Sequence, residues 1–119
     1  RRQRQMCIRD RQSEQGLWHT VLDDPSSYEE TSGSSAITYG LLKGIRMGIL
    51  EEKYKDTVQR ALKGILHNIR KDGTVMKVSA GTPVGKDKEH YKNILIAPMA
   101  YGQSLTMMAL TEALLADWQ

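Results

Sequence analysis

Two side chains suited to sugar binding are adjacent near the start of the chain. Trp18 presents an indole face that could stack on a sugar ring, and His19 an imidazole that could donate to a hydroxyl or a carboxylate. Each also has a purely structural interpretation: Trp18 packs between helices, and His19 bonds a backbone carbonyl. The pair is a candidate binding site whose role depends on its surroundings.

Two further groups could complete such a site. Glu30, Ser32 and Ser34 stand at a predicted helix start, where backbone N–H groups favour anions. For Glu30, a capping or bridging role is favoured over ligand binding. The Gly- and Pro-rich segment 79–85, which includes Gly81 and Thr82, could form a rim over a pocket or a plain connector.

Other chemically suggestive residues have simpler explanations. Adjacent carboxylates before a proline, as at Asp23 and Asp24, are more typical of a turn cap than of an acid/base pair. Methionines concentrated on the last helix are more typical of core filling than of a soft-metal site. Cys7 is the single cysteine, so one copy of the chain cannot form an internal disulfide or a cysteine zinc site. We predict no metal site.

The charge distribution argues against nucleic-acid binding. The 119 residues suit one domain and carry a net charge of +3. This excess lies in residues 1–14, where five arginines face only Asp10 and Glu14. A domain that tracks phosphates spreads cations over a face and interleaves aromatic residues. No apolar run is long enough to span a membrane, so we expect neither nucleic acid nor membrane as a partner.

Hydrophobic periodicity predicts three long helices, at about 34–50, 51–70 and 98–117, with a short β-branched run at 74–78 that suits a small hairpin. The second helix is amphipathic, whereas the last is apolar nearly all round and is predicted to be buried. Buried and amphipathic helices in alternation are typical of helical hairpins whose first members line an inner ring. Such a chain is too short to close the ring.

The first helix carries an unusual stripe of small residues. Glycine inside a helix costs about 0.5–1 kcal/mol relative to alanine, so some contact must compensate. We predict that another backbone approaches closely along this stripe, which consists of Ala36, Gly40, Gly44 and Gly48.

Four segments together resemble a known family. They are GLWHTVLDD, YEETSGSSAITYGLLKGIRMGIL, DGTVMKVSAGTPVG and PMAYGQSLTMMALTEALL. Their order and spacing resemble the C-terminal third of the unsaturated glycuronyl hydrolases of glycoside hydrolase families 88 and 105, and most of all the unsaturated rhamnogalacturonyl hydrolases. The resemblance implies an all-α fold. Residues 1–119 would be the C-terminal fragment of a single (α/α)6-barrel catalytic domain, associated with the missing segments or with another copy.

The resemblance also implies a reaction. The family hydrates the C4–C5 double bond of a 4,5-unsaturated uronic acid at the nonreducing end of pectin-derived oligosaccharides, without a metal or organic cofactor. Its catalytic aspartate lies in the part that would precede Arg1, so no catalytic residue is assigned here and the fragment alone is expected to be inactive. The expected location is cytoplasmic. The expected substrate-binding residues are Trp18, His19, Glu30, Gly81 and Thr82.

Two other functions would share the helical pattern. An α/α-barrel sugar epimerase would act on intact sugars and would not need the GLWHTVLDD and SAGTPVG segments together. A helical protein-interaction module without catalysis would explain the small-residue stripe and an exposed apolar helix. A pocket aspartate upstream of Arg1 would favour the hydrolase.

Overall fold

The computed structural model describes residues 8–116, and these are mostly helical. Residues 8–10 are helical, and a 3-10 turn at Glu52–Tyr54 leads into the second long helix. Across 8–116, β structure is limited to isolated bridges such as Ser79 with Ile96. The all-α prediction is confirmed. Four α-helices lie wholly within the described residues: α1 (Thr31–Arg46), α2 (Lys55–His67), α3 (Lys88–Lys92) and α4 (Ala100–Leu115).

Local chemistry explains where α1 begins and ends. It begins three residues before the predicted position, because the Glu30 carboxylate accepts a hydrogen bond from the Gly33 backbone and caps the helix. It ends at Arg46 rather than near residue 50. Gly48 has φ +70°, a left-handed conformation that stops a helix and that glycine adopts at little cost.

The hydrophobic core lies mainly between α1 and α2. Leu41 and Leu42 of α1 face Val58 and Ala61 of α2, and the indole of Trp18 packs in the same cluster. On its other side α1 packs against α4, where the Ser35 and Thr106 hydroxyls bond at 2.9 Å in a buried position. This arrangement makes α1 the central element of the described chain.

The predicted burial of α4 concerns a complete ring, and within residues 8–116 only one face of this helix is covered. Its buried face is small and partly polar and includes Gly102, Thr106 and Ala109. The reason is that α1 and the segment around Val78 cover only one side of the helix. Two of the methionines predicted to fill the core therefore lie outside it. The exposed apolar side chains are Tyr101, Met107, Met108, Leu114 and Leu115.

The predicted backbone contact along the glycine stripe is not made among residues 8–116, so it stays a prediction. A side chain at Gly40 or Gly48 would meet nothing within 4 Å, and one at Gly44 would meet the Leu50 side chain at 2.7 Å. Ala36, Gly40 and Gly48 are exposed, whereas Gly44 is half-buried beside the Leu50 side chain.

Backbones instead approach closely where the segment before Trp18 crosses α2. A Cβ at Gly16 would collide with the Arg60 carbonyl, and one at Gly64 would collide with the Gln15 carbonyl. Gly16 also has φ +89°, in the left-handed region that L side chains rarely adopt. The two glycines let this segment lie directly on α2 and so set the position of Trp18.

Candidate functional site

A cavity of about 530 Å³ opens where four parts of the chain meet, a volume within the range of small-ligand pockets. Its walls come from residues 18–22, the start of α1, residues 79–82 and the first half of α4. All five residues predicted to bind substrate line this cavity: Trp18, His19, Glu30, Gly81 and Thr82.

Trp18 forms the buried wall of the cavity. Its side chain is only 2% exposed, and its indole Nε1 donates to the Ile8 carbonyl at 2.7 Å. The Trp18 backbone N–H donates to the Ser34 hydroxyl at 2.9 Å, which ties the residue to α1. The indole therefore packs in the core, and little of its face remains open to a ligand.

The hydrogen bond of His19 determines its tautomer. Nδ1 lies 2.6 Å from the Ser27 carbonyl, and because a carbonyl oxygen only accepts, Nδ1 carries the proton. In the neutral ring Nε2 is then left as a hydrogen-bond acceptor. The backbone bond of the structural interpretation is present, and it leaves one ring nitrogen for a ligand.

The loop that holds His19 is stabilised by Asp24. This carboxylate accepts hydrogen bonds from the backbone N–H and the hydroxyl of Ser26 and forms an ion pair with Lys92 of α3. These contacts, led by the Ser26 bonds, lower the pKa of Asp24 to about 2. The neighbouring Asp23 pairs with Lys88, which lowers its pKa as well. Asp24 caps a turn, as predicted.

Glu30 reaches the cavity with both carboxylate oxygens already occupied. One oxygen accepts from the Ser32 hydroxyl at 2.7 Å and from the Ser79 backbone N–H at 2.9 Å. The other accepts from the Gly33 backbone N–H. The predicted capping role is confirmed, and the same side chain also bridges α1 to the segment around Ser79.

The residues 79–82, which we call the rim segment, form the opposite edge of the cavity. The Ser79 hydroxyl bonds the Tyr28 hydroxyl at 2.7 Å, and the Gly81 N–H donates to the Tyr101 hydroxyl at 2.9 Å. Gly81 has φ +94° and open space where a side chain would lie, whereas Thr82 is exposed. The rim segment thus places a backbone turn and a hydroxyl at the mouth of the cavity.

Sequence reasoning missed the two tyrosines at this edge. Tyr28 lies 51 residues from its partner Ser79, and nothing local indicates the pairing. Tyr101 has the same spacing as core residues of α4, yet it lines the cavity and holds Gly81. Tyr101 is the single aromatic residue of α4, and it was the available signal because the hydroxyl of a tyrosine needs a polar partner.

Metal binding has no support in the part of the chain that the structure describes. Residues 8–116 contain no group of three or more His, Cys, Asp or Glu side chains arranged to hold a metal ion. The same residues include no helix with the length and apolar character needed to cross a membrane.

Comparison with known protein families shows which family this chain belongs to. A model of Glycosyl Hydrolase Family 88 matches residues 2–116. The chain belongs to this family. Its fold is therefore a portion of the (α/α)6 barrel, as the resemblance implied.

Relatives of this family 88 chain have known names. The unsaturated rhamnogalacturonyl hydrolase YesR of Bacillus subtilis (strain 168) is 43% identical over 104 residues, which are 87% of this chain and 28% of that protein. An unsaturated 3S-rhamnoglycuronyl hydrolase of Alteromonas sp. (strain LOR) is 33% identical over 107 residues, 87% of this chain and 25% of that protein. The chain thus spans roughly a quarter of each relative.

Solved structures agree with the family 88 assignment. A possible member of the GH105 family from Salmonella enterica serovar Paratyphi A superposes with a TM-score of 0.90 and 39% identity, over 93% of this chain and 29% of that one. A similar protein from Klebsiella pneumoniae gives a TM-score of 0.88 and 38% identity, over 92% of this chain and 29% of that one.

Proposed function

We propose that this chain forms one wall of the substrate pocket in a glycoside hydrolase that acts on unsaturated uronic acids. The complete protein would hydrate the C4–C5 double bond of a 4,5-unsaturated uronic acid at the nonreducing end of pectin-derived rhamnogalacturonan oligosaccharides. The hydrated product is an unstable hemiketal at C5. Its ring opens, and the former uronic acid, now without its double bond, separates from the rest of the oligosaccharide. One observation carries the proposal: His19 and the rim segment converge on a single cavity in a family 88 chain.

The residues around the cavity suit binding better than proton transfer. Nε2 of His19 would accept from a sugar hydroxyl when neutral, or donate to the uronic carboxylate when protonated. Gly81 and Thr82 would contact the sugar that follows the uronic acid, and Trp18 would support the wall beneath them. Glu30, whose oxygens are occupied, would act through the rim segment.

The proton donor would come from outside the described residues. General acid catalysis needs a carboxyl group that can hold a proton and release it to the substrate. The carboxylate of Glu30 accepts three hydrogen bonds from its own surroundings, and Asp23 and Asp24 pair with lysines of α3, so all three side chains are engaged in structural contacts. We therefore assign no catalytic residue to this chain and expect it to be inactive alone. Hydration of a double bond differs from the ordinary displacement at an anomeric carbon by two carboxylates.

The proposal also concerns what covers α4, the rival epimerase function and the location of the protein. We propose that the exposed face of α4 is covered by other segments of the complete protein or by another copy, because this chain spans only about a quarter of its relatives. The family match favours a hydrolase over a sugar epimerase. A cytoplasmic location stays a prediction.

A direct test uses the complete protein that contains this chain. With an unsaturated galacturonyl-rhamnose disaccharide, we expect the ultraviolet absorbance of the double bond to disappear. His19→Asn keeps a donor for the Ser27 carbonyl but removes the Nε2 acceptor, and we expect it to raise KM about tenfold, the effect of losing one good hydrogen bond. His67→Asn, at the exposed end of α2, is the matched control. An unchanged ultraviolet signal with intact protein would contradict the proposal.

A further inference from the structure

Glu30 contacts three of the four segments that meet at the cavity. Its carboxylate binds Ser32 and Gly33 at the start of α1 and the Ser79 N–H of the rim segment. Its backbone N–H donates to the Trp18 carbonyl at 3.0 Å. The residue is only 8% exposed, so these bonds are shielded from water and are stronger than surface bonds of the same kind.

The rim segment needs such an anchor because of the backbone that precedes it. Lys77 has φ +56°, the left-handed region that residues other than glycine rarely adopt. This conformation persists only where surrounding contacts hold it. The Lys77 carbonyl accepts from the Thr31 N–H at 2.9 Å, and two residues later the Ser79 N–H reaches Glu30. Both contacts are made to the first residues of α1 and its cap.

We propose that Glu30 is a positioning residue that holds the rim segment at the distance from His19 that a bound oligosaccharide requires. It acts through the Ser79 N–H and does not itself bind the sugar. This inference rests on the proposed function of the cavity, and it adds the element that sets the cavity's width.

The test separates the two roles of the carboxylate. Glu30→Asp keeps a charge and a good N-cap side chain for α1, but it is one methylene too short to reach Ser79 as well. In the complete protein we expect exchange of the Ser79 amide hydrogen to accelerate about tenfold, the effect of losing one charge-assisted hydrogen bond, while amides of α2 are unchanged. Glu29→Asp is the matched control, and it should leave both sets of amides unchanged.

A second variant weakens the hold on the rim segment without changing Glu30, which caps the N-terminus of α1. Tyr28→Phe removes the other tie to Ser79, the hydroxyl bond at 2.7 Å, without touching α1. We expect it to loosen the rim segment less than Glu30→Asp, because a neutral bond is weaker than one to a carboxylate. Equal exchange of the Ser79 amide in Glu30→Asp and in wild type would overturn the proposal.

Kinetic constants give a further measurement, because a simple loss of stability would not raise KM. With the unsaturated disaccharide, Glu30→Asp should raise KM about fivefold and leave kcat within about twofold, since the rim segment binds substrate and the proton donor lies elsewhere. A lower kcat with unchanged KM and uniformly faster exchange would show a general loss of folded protein and would also overturn the proposal. If wild type shows no activity, the proposed function fails, whereas the exchange result still decides the role of Glu30 in positioning the rim.

Discussion

Arg46 near the end of α1 forms an ion pair with Glu112 on α4, and the carboxylate side chain of this pair is 5% exposed. Nε of Arg46 donates to Oε1 of Glu112, and this bond raises the pKa of the guanidinium. The two residues are 66 positions apart, so the pair forms only once the two helices have packed. It therefore reports directly on the contact between α1 and α4.

Removal of Arg46 is expected to cost more stability than removal of the whole pair. Arg46→Met leaves the Glu112 carboxylate buried without its partner, which is strongly unfavourable. Arg46→Met with Glu112→Leu removes both charges and should recover most of the lost melting temperature. Thermal denaturation of the complete protein measures both effects. A double variant that melts no higher than Arg46→Met would count against this account.

The crossing over α2 should not tolerate a methyl group. Gly64→Ala places a Cβ against the Gln15 carbonyl and the Leu17 side chain, and overpacking of this kind costs about 1–3 kcal/mol. Lys63→Ala, the exposed neighbour on the same helix, is the control and should change stability by less than about 0.5 kcal/mol. Denaturant unfolding of the complete protein gives both values. Equal stability of the two variants would refute the close contact.

The turn at Asp24 should respond to pH only in strongly acidic solution. Its pKa is about 2 in the folded chain against a reference value of 3.8, so its stabilising contribution is complete above pH 3.8 and is lost as the pH falls through about 2. The melting-temperature difference between wild type and Asp24→Asn should therefore shrink between pH 4 and pH 2. A constant difference for Asp24→Asn across this range would be inconsistent with the lowered pKa.

The exposed face of α4 predicts that the 119-residue chain alone associates. Each large apolar side chain that leaves water contributes about 1.5–3 kcal/mol, and Met107, Leu114 and Leu115 are each more than half exposed. Leu114→Lys with Met107→Lys should reduce this association. Sedimentation velocity checks both proteins. A solitary particle of the unaltered chain that melts cooperatively would show that the face needs no partner.

Much of the fold could be predicted because its causes are local. Apolar residues at helical spacing predicted α1, α2 and α4, and capping chemistry predicted the roles of Glu30 and Asp24. The predicted binding residues also line one cavity, although their contact with substrate stays a proposal. The helix ends were less accurate, because the left-handed Gly48 and the reach of Glu30 shift them by a few residues.

What the sequence determined by itself is the set of elements, the turn and cap chemistry and the family, because each depends on residues close together or on their order along the chain. Only the tertiary structure decided that the glycines in close contact with a neighbouring backbone are Gly16 and Gly64 rather than Gly40. Only the tertiary structure decided that α4 packs through its face of small and partly polar residues. It also decided the pairings of Tyr28 with Ser79 and Arg46 with Glu112. These contacts join residues far apart in the chain, and packing of whole helices, not local preference, brings them together.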